Sequence, residues 1–154
     1  MSLCDRMEVD VETNVRAEKF HDIFSSSTLP QVSCMSPAKV QAIHLLEGEW
    51  GKPGCTICWN FCIDGAPKVA KEVIEDIDNT KLSTTFKVIE GDLMEAYKSF
   101  KVIVQATPKG HGSVVHWTLI FEKLNENIPA PTAFLDNAVD FTKDINAHMT
   151  QAKA

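Results

Sequence analysis

The chain has 154 residues, 44% of them hydrophobic and 23% charged, a size that supports one ordinary buried core and argues against a second. Its formal net charge of −6 works against binding a phosphate backbone, which requires clustered Lys and Arg, so nucleic acid is not an expected partner. No uncharged apolar run approaches signal or membrane-spanning length; stable membrane insertion is not expected, and residues 1–154 read as one cytoplasmic domain.

Residues 4–13 alternate, with Met7, Val9 and Val11 against Glu8, Asp10 and Glu12, as in a half-buried strand. From Arg16 the period lengthens. Ala17, Phe20 and Phe24, with Ile23, share one helical face that ends in Ser25-Ser26-Ser27, and Pro30 and Pro37 bracket a second short helical segment. From Val40 the chain reads as successive strands. The first runs to Trp50 and a glycine-rich loop. The next places Cys55, Ile57, Trp59, Phe61 and Ile63 on one face and Thr56, Cys58, Asn60 and Cys62 on the other, before the hairpin signal Asp64-Gly65. Residues 68–78 form a further strand, and Leu82, Thr84, Phe86 and Val88 share a face of the one after it, which Gly91-Asp92 interrupts. The last two strands carry Phe100, Val102, Val104 and Ala106 inward in residues 97–107, and Val115, Trp117, Leu119 and Phe121 inward in residues 113–124.

Short connections make this an antiparallel sheet with one apolar face to cover. The cover is residues 131–149, where Phe134, Ala138, Phe141, Ile145 and His148/Met149 recur at helical spacing and Leu135, Val139 and Thr142 widen the stripe. Asp136, Asp140, Lys143, Asp144 and Asn146 read as the solvated side. Pro129 and Pro131 close off the preceding chain, Thr132 can cap the first turn, and the helix would be about 27 Å long. The result is an α+β domain. Periodicity alone is equally consistent with a hollow or a packed interior.

Three constellations invite chemistry and lose it on inspection. The loop at residues 48–54 suggests phosphate binding, yet it joins two strands, no helix N-terminus or Lys-Ser/Thr pair follows, and Glu47 and Glu49 would repel an anion. Cys55, Cys58 and Cys62 lie on a strand; the first two point to opposite faces and the last two stand about 13 Å apart, which no zinc site allows. With Cys4 and Cys34 they make five cysteines, expected as reduced thiols. His21, His44, His111, His116 and His148 are scattered, without a nucleophile or acid at an interpretable spacing. No metal and no cofactor is expected.

Four segments carry a family resemblance: Leu46-Glu47-Gly48-Glu49-Trp50-Gly51, Val88-Ile89-Glu90-Gly91-Asp92-Leu93, Tyr97-Lys98-Ser99-Phe100-Lys101 and Ala106-Thr107-Pro108-Lys109-Gly110. In this order they resemble the major latex proteins of plants, relatives of the birch-pollen allergen and of pathogenesis-related class-ten proteins, across essentially the whole chain. The resemblance implies a helix-grip fold: a curved seven-stranded antiparallel sheet wrapping a long C-terminal helix, two short helices after the first strand, and an internal hydrophobic cavity. It implies non-enzymatic binding, storage or transport of a hydrophobic small molecule, whether a fatty acyl lipid or lysophospholipid, a sterol or triterpenoid, a flavonoid or a plant hormone, linked to defence or stress. A monomer or weak dimer is expected. Alignment with the family places Trp59, Phe61, Phe86, Val88, Phe100 and Val102 along the cavity, opposite Phe134 and Ala138, and the same expectation includes Phe24, Trp117 and Leu119. Lys98 is the expected polar contact near the entrance, and Phe141 and Ile145 are expected to anchor the helix. Two activities of relatives would make the chain a cavity enzyme instead. For ribonuclease action the matching helix positions hold Thr142 and Asp144; for norcoclaurine-type condensation the single tyrosine, Tyr97, and the adjacent Lys98 fall on opposite faces of a strand. Neither pattern is matched.

Overall fold

The computed structural model describes residues 3–151. Seven strands, β1 (Cys4–Thr13), β2 (Val40–Glu47), β3 (Thr56–Ile63), β4 (Ala66–Asp78), β5 (Ser83–Gly91), β6 (Tyr97–Lys109) and β7 (Gly112–Lys123), form one antiparallel sheet in the order β1-β7-β6-β5-β4-β3-β2. From β2 on, each strand pairs with its successor. β1 alone pairs far along the chain, from Cys4 opposite Glu122 to Thr13 opposite Ser113. Helix α1 (Ala17–Ser25), a 3-10 turn at Leu29–Gln31 and helix α2 (Val32–Met35) link β1 to β2, and helix α3 (Thr132–Gln151) follows the sheet. This is the expected α+β arrangement.

Local chemistry sets the registers. Asp64 and Gly65 both have positive φ, 51° and 79°, as the two-residue turn that matches strand twist requires. That turn pairs Ile63 with Ala66 and carries the count down the ladder to Trp59 opposite Ala70 and Ile57 opposite Glu72. At the end of β5, Gly91 (φ +118°) passes so close to β4 that a Cβ would stand 2.1 Å from the Val69 carbonyl oxygen. Asp92 then accepts the Val69 backbone N–H at 2.7 Å. The Gly91-Asp92 break is thus a point of backbone contact between neighbouring strands.

The inner face of the sheet, α1 and one side of α3 enclose the core, in which Phe20, Phe24, Phe100, Phe121, Leu119 and Ile145 are fully buried. Leu135, Ala138, Phe141 and Thr142 are buried with Ile145 on the α3 stripe.

Three expectations need correction. β2 ends at Glu47, short of Trp50, because the turns that close the 48–54 loop begin there. Asp144 and Asn146 are not a freely solvated side of the helix: Asp144 accepts hydrogen bonds from Ser36 Oγ (2.6 Å) and Lys39 Nζ (2.9 Å), and Asn146 Oδ1 accepts the Asn14 N–H at 2.8 Å. These bonds pin the C-terminal half of α3 to the chain on either side of the short helices. The third correction is at Lys98, where an irregularity between Tyr97 and Ser99 resets the alternation of β6. Tyr97 and Phe100 both turn inward, and Lys98 is left outside.

Candidate functional site

Two phenylalanines of helix α3 pack against rings of the sheet and of α1. Phe134 packs edge-on against Phe61 and Phe100, with ring centroids 6.2 and 5.2 Å apart, and Phe141 packs edge-on against Phe24 and Trp59 at 6.0 and 6.4 Å. Between them the helix presents Ala138, a side chain too short to reach across. A cavity remains there, about 70 Å³ for water-sized molecules, within about 560 Å³ of atom-free space counted to its open mouth.

Its wall is assembled from almost the whole fold. Phe24 comes from α1, Val40 from β2, Trp59 and Phe61 from β3, Glu72 from β4, Phe86 from β5, Val102 from β6 and Trp117 from β7; Phe134, Asn137, Ala138 and Phe141 close it from α3. Trp59 meets Phe86 edge-on at 6.1 Å and Trp117 meets Phe24 at 5.7 Å, so the rings brace one another as well as the space.

The polar groups in this wall are few and unequal. Trp117 donates its indole N–H to Thr142 Oγ1 at 2.8 Å, and the Thr142 hydroxyl donates onward to the Ala138 carbonyl at 2.7 Å, which ties the sheet to the fully buried Thr142 of the helix. The indole N–H of Trp59 has no such partner. Beside it is Glu72, 6% exposed and set on the inward face by its pairing with Ile57. Burial pushes the Glu72 carboxyl up to about 8, and the nearby Trp59 N–H opposes this only weakly. The indole N–H thus lies near enough to influence the carboxyl without making a hydrogen bond to it. Glu72 is therefore largely protonated at neutral pH, and it is the only ionisable side chain among the residues that line the cavity.

Of the residues nominated by sequence, Phe24, Trp59, Phe61, Phe86, Val102, Trp117, Phe134 and Ala138 line this space. Val88, Phe100 and Leu119 face inward and are buried, but they are not part of the lining; Phe100 is covered by Tyr97, Phe121 and Phe134. Lys98 is corrected outright: its side chain is 70% exposed and reaches Glu122 at 3.7 Å on the outer face, because the irregularity in β6 turns it away from Phe100. Phe141, expected only to anchor α3, is itself a wall residue, whereas Ile145 is buried beyond the cavity. Val40, Glu72 and Asn137 were not anticipated. The remaining constellations stay apart from the cavity. Burial raises the pKa of the inward Cys55 thiol; His21 Nε2 donates to Asn79 Oδ1 at 2.9 Å; and His116 lies on the outer face against Glu8 and Asp10.

A seven-stranded sheet gripping a long helix over an apolar cavity is the arrangement implied by the four sequence segments, and the match to a family model decides the matter. The model of the pathogenesis-related protein Bet v 1 family matches residues 2–152. The chain belongs to that family. Within the Bet v 1 family it is 45% identical over 150 residues to MLP-like protein 31 of Arabidopsis thaliana, covering 96% of this chain and 87% of that one. Its fold superposes on the crystal structure of major latex-like protein 151 of Panax ginseng with a TM-score of 0.91, 38% identity and coverage of 95% and 97% of the two chains. Norcoclaurine synthase of Thalictrum flavum, solved with dopamine and hydroxybenzaldehyde, shares the fold at a TM-score of 0.76 and 15% identity, covering 99% of this chain and 90% of the enzyme. Among the described residues, no helix of this Bet v 1 family protein is long and apolar enough to cross a membrane.

Proposed function

We propose that the protein is a non-enzymatic binder that holds a hydrophobic small molecule between the sheet and α3, as a store or carrier. The apolar, aromatic-lined cavity beneath Ala138 is the observation that supports this. The ligand classes that fit such a wall are a fatty acyl lipid or lysophospholipid, a sterol or triterpenoid, a flavonoid or a plant hormone, in a defence or stress setting, with the protein acting in the cytoplasm as a monomer or weak dimer.

In its present form the cavity is smaller than such ligands, since each ordered water requires roughly 10–15 Å³ of comparable volume and only a handful would fit. Uptake therefore requires the wall to move, and α3 is held unequally. Thr142, Asp144 and Asn146 fix its C-terminal half through hydrogen bonds to three different parts of the chain. Its N-terminal half rests on the Phe134 contacts, and Tyr97 Oη donates to the Pro129 carbonyl just ahead of it at 2.7 Å. Opening the N-terminal half about the pinned end widens the cavity from Phe134 to Phe141 without unseating the sheet. Amide hydrogen exchange should then be faster in residues 132–141 than in residues 142–149, and ligand should slow the first group selectively.

The direct test is to fill the space. Ala138→Leu extends a helix-compatible side chain into the cavity and should abolish uptake of a broad ligand panel with little loss of stability, while Lys98→Ala on the outer face should bind as wild type does. Full binding by Ala138→Leu would place the ligand elsewhere. A cavity enzyme is the second reading, favoured by the perturbed Glu72 alone. That reading predicts turnover of bound ligand, and against it the lining holds no second acid, base or nucleophile.

A further inference from the structure

The cavity holds two hydrogen-bonding groups that the folded protein does not use. Among the described residues only Trp59 Nε1 and Thr84 Oγ1 are buried side-chain polar atoms without a hydrogen-bond partner, and of the two only Trp59 lines the cavity, beside the buried carboxyl of Glu72, which has no cation in the lining. The contrast with Trp117 sharpens the point. Both tryptophans line the same cavity, yet only Trp117 has an acceptor, Thr142, built for its N–H. On the inward side of β4 the buried Ala70 and Ile74 flank Glu72, so the carboxyl has apolar neighbours along its own strand.

We propose that Glu72 and the Trp59 indole N–H form the polar end of the ligand site and select a hydrophobic molecule that carries a neutral hydroxyl group. This rests on the cavity being the ligand site. A hydroxyl oxygen accepts from the Trp59 N–H while its proton is donated to a Glu72 oxygen, so one small group satisfies both orphans. An ionised carboxylate or phosphate fits poorly. No Lys, Arg or His lines the cavity to balance its charge. An ammonium group can donate to Glu72 but offers no lone pair to the indole. An ether oxygen can accept from the indole N–H or the Glu72 O–H but donates nothing, so it leaves the Glu72 carbonyl oxygen without a partner. Apart from Asn137 on α3 the remaining wall is aromatic and aliphatic, which leaves the rest of the ligand largely apolar.

The test uses matched probes on one chain length: decanol, decyl methyl ether, decylamine and decanoic acid, titrated calorimetrically into the ligand-free protein at neutral pH. Decanol should bind about tenfold or more tightly than each of the other three, the factor expected when a buried donor or acceptor goes unmatched. Glu72→Leu and Trp59→Phe should each erase most of that preference, leaving decanol and its methyl ether close together, and their folding is checked by circular dichroism and cooperative urea unfolding. Glu72→Gln, which keeps an acceptor and a donor at the same place, should retain most of it. Tighter binding of decylamine or of decanoic acid than of decanol overturns the hydroxyl assignment. Equal binding of alcohol and ether to the wild type also overturns it while leaving the cavity as the ligand site. If no probe binds wild type and a broad ligand panel also fails, the cavity reading itself falls and the inference falls with it.

Discussion

Replacing Glu72 by Gln should make the protein more stable, by an amount that depends on pH. The carboxyl is 6% exposed and its pKa lies at about 8, against 4.5 for the free side chain. Between those values the folded protein keeps a proton that the unfolded chain gives up, so stability falls as pH rises. At pH 4 both states are protonated and the penalty is absent. By pH 7 the unfolded carboxyl is about two and a half units above its own pKa, and at about 1.4 kcal/mol per unit the folded state has lost about 3 kcal/mol relative to its acid value. Above about pH 8 the folded carboxyl ionises too and the loss levels off. Gln copies the shape of the protonated acid and does not titrate. Urea unfolding of ligand-free wild type and Glu72→Gln, followed by tryptophan fluorescence from pH 4 to pH 8, should show curves that nearly coincide at the acid end and separate steadily to about 3 kcal/mol at neutrality. A separation that is constant across this range would refute the argument, because only a titrating, buried carboxyl produces a gap that grows with pH.

Other substitutions probe the surroundings of the cavity. Thr142→Val keeps the volume but leaves the Trp117 indole N–H buried without an acceptor, and should cost about 1–3 kcal/mol in chemical unfolding. Gly91→Ala combines a φ of +118° with a Cβ placed 2.1 Å from the Val69 carbonyl oxygen, and should destabilise by at least about 2 kcal/mol, with melting of the β4–β5 pairing visible in amide exchange. On the outer face, the hydrogen bond to Asp10, reinforced by Glu8, holds the His116 imidazolium above the ordinary histidine range, while His116 and Arg6 hold Glu8 below the ordinary carboxylate range. His116 therefore contributes stability below about pH 6.5 that is lost as pH rises through its folded pKa. An NMR titration should find His116 titrating above 6.5 and moving down in Asp10→Asn.

Periodicity carried most of the fold. Strict alternation in residues 55–63 and 97–121 named the inward faces of β3, β6 and β7, because burying one side of a sheet leaves a period of two that needs no tertiary information. The helix stripe from Phe134 to Ile145 was legible for the same reason at a period of 3.6. What was missed was missed for identifiable reasons. Lys98 was assigned inward through its neighbour Phe100, and an irregularity that shifts the alternation by one residue leaves no mark in a pattern of residue types. Glu72 was hidden by its own charge, since β4 alternates between charged and apolar side chains too irregularly to name an inner face. Yet the information was present. Once Asp64-Gly65 is recognised as a two-residue turn, Ile63 must face Ala66, and counting along both strands sets Glu72 opposite Ile57, already known to point inward. The cavity itself was beyond any pattern, because a short Ala138 between two long phenylalanines is read as core whether or not something fills the gap.

The pairing of β1 with β7 has a consequence in time. Cys4 finds its place opposite Glu122, 118 residues later in the chain, so the first strand to leave the ribosome waits for nearly every other strand before it can be paired. Contacts of such long range are slow to form, because the entropy of closing the loop is lost before any bonding repays it. β7 carries Trp117 on the same strand that captures β1, so the sheet side of the chamber and the outer edge of the sheet are completed together, late in the chain. A nascent chain with β2 to β6 assembled presents a bare apolar surface for as long as that event is delayed. During that interval its solubility depends on whatever shields the surface, whether a chaperone or the small molecule that the finished protein later encloses.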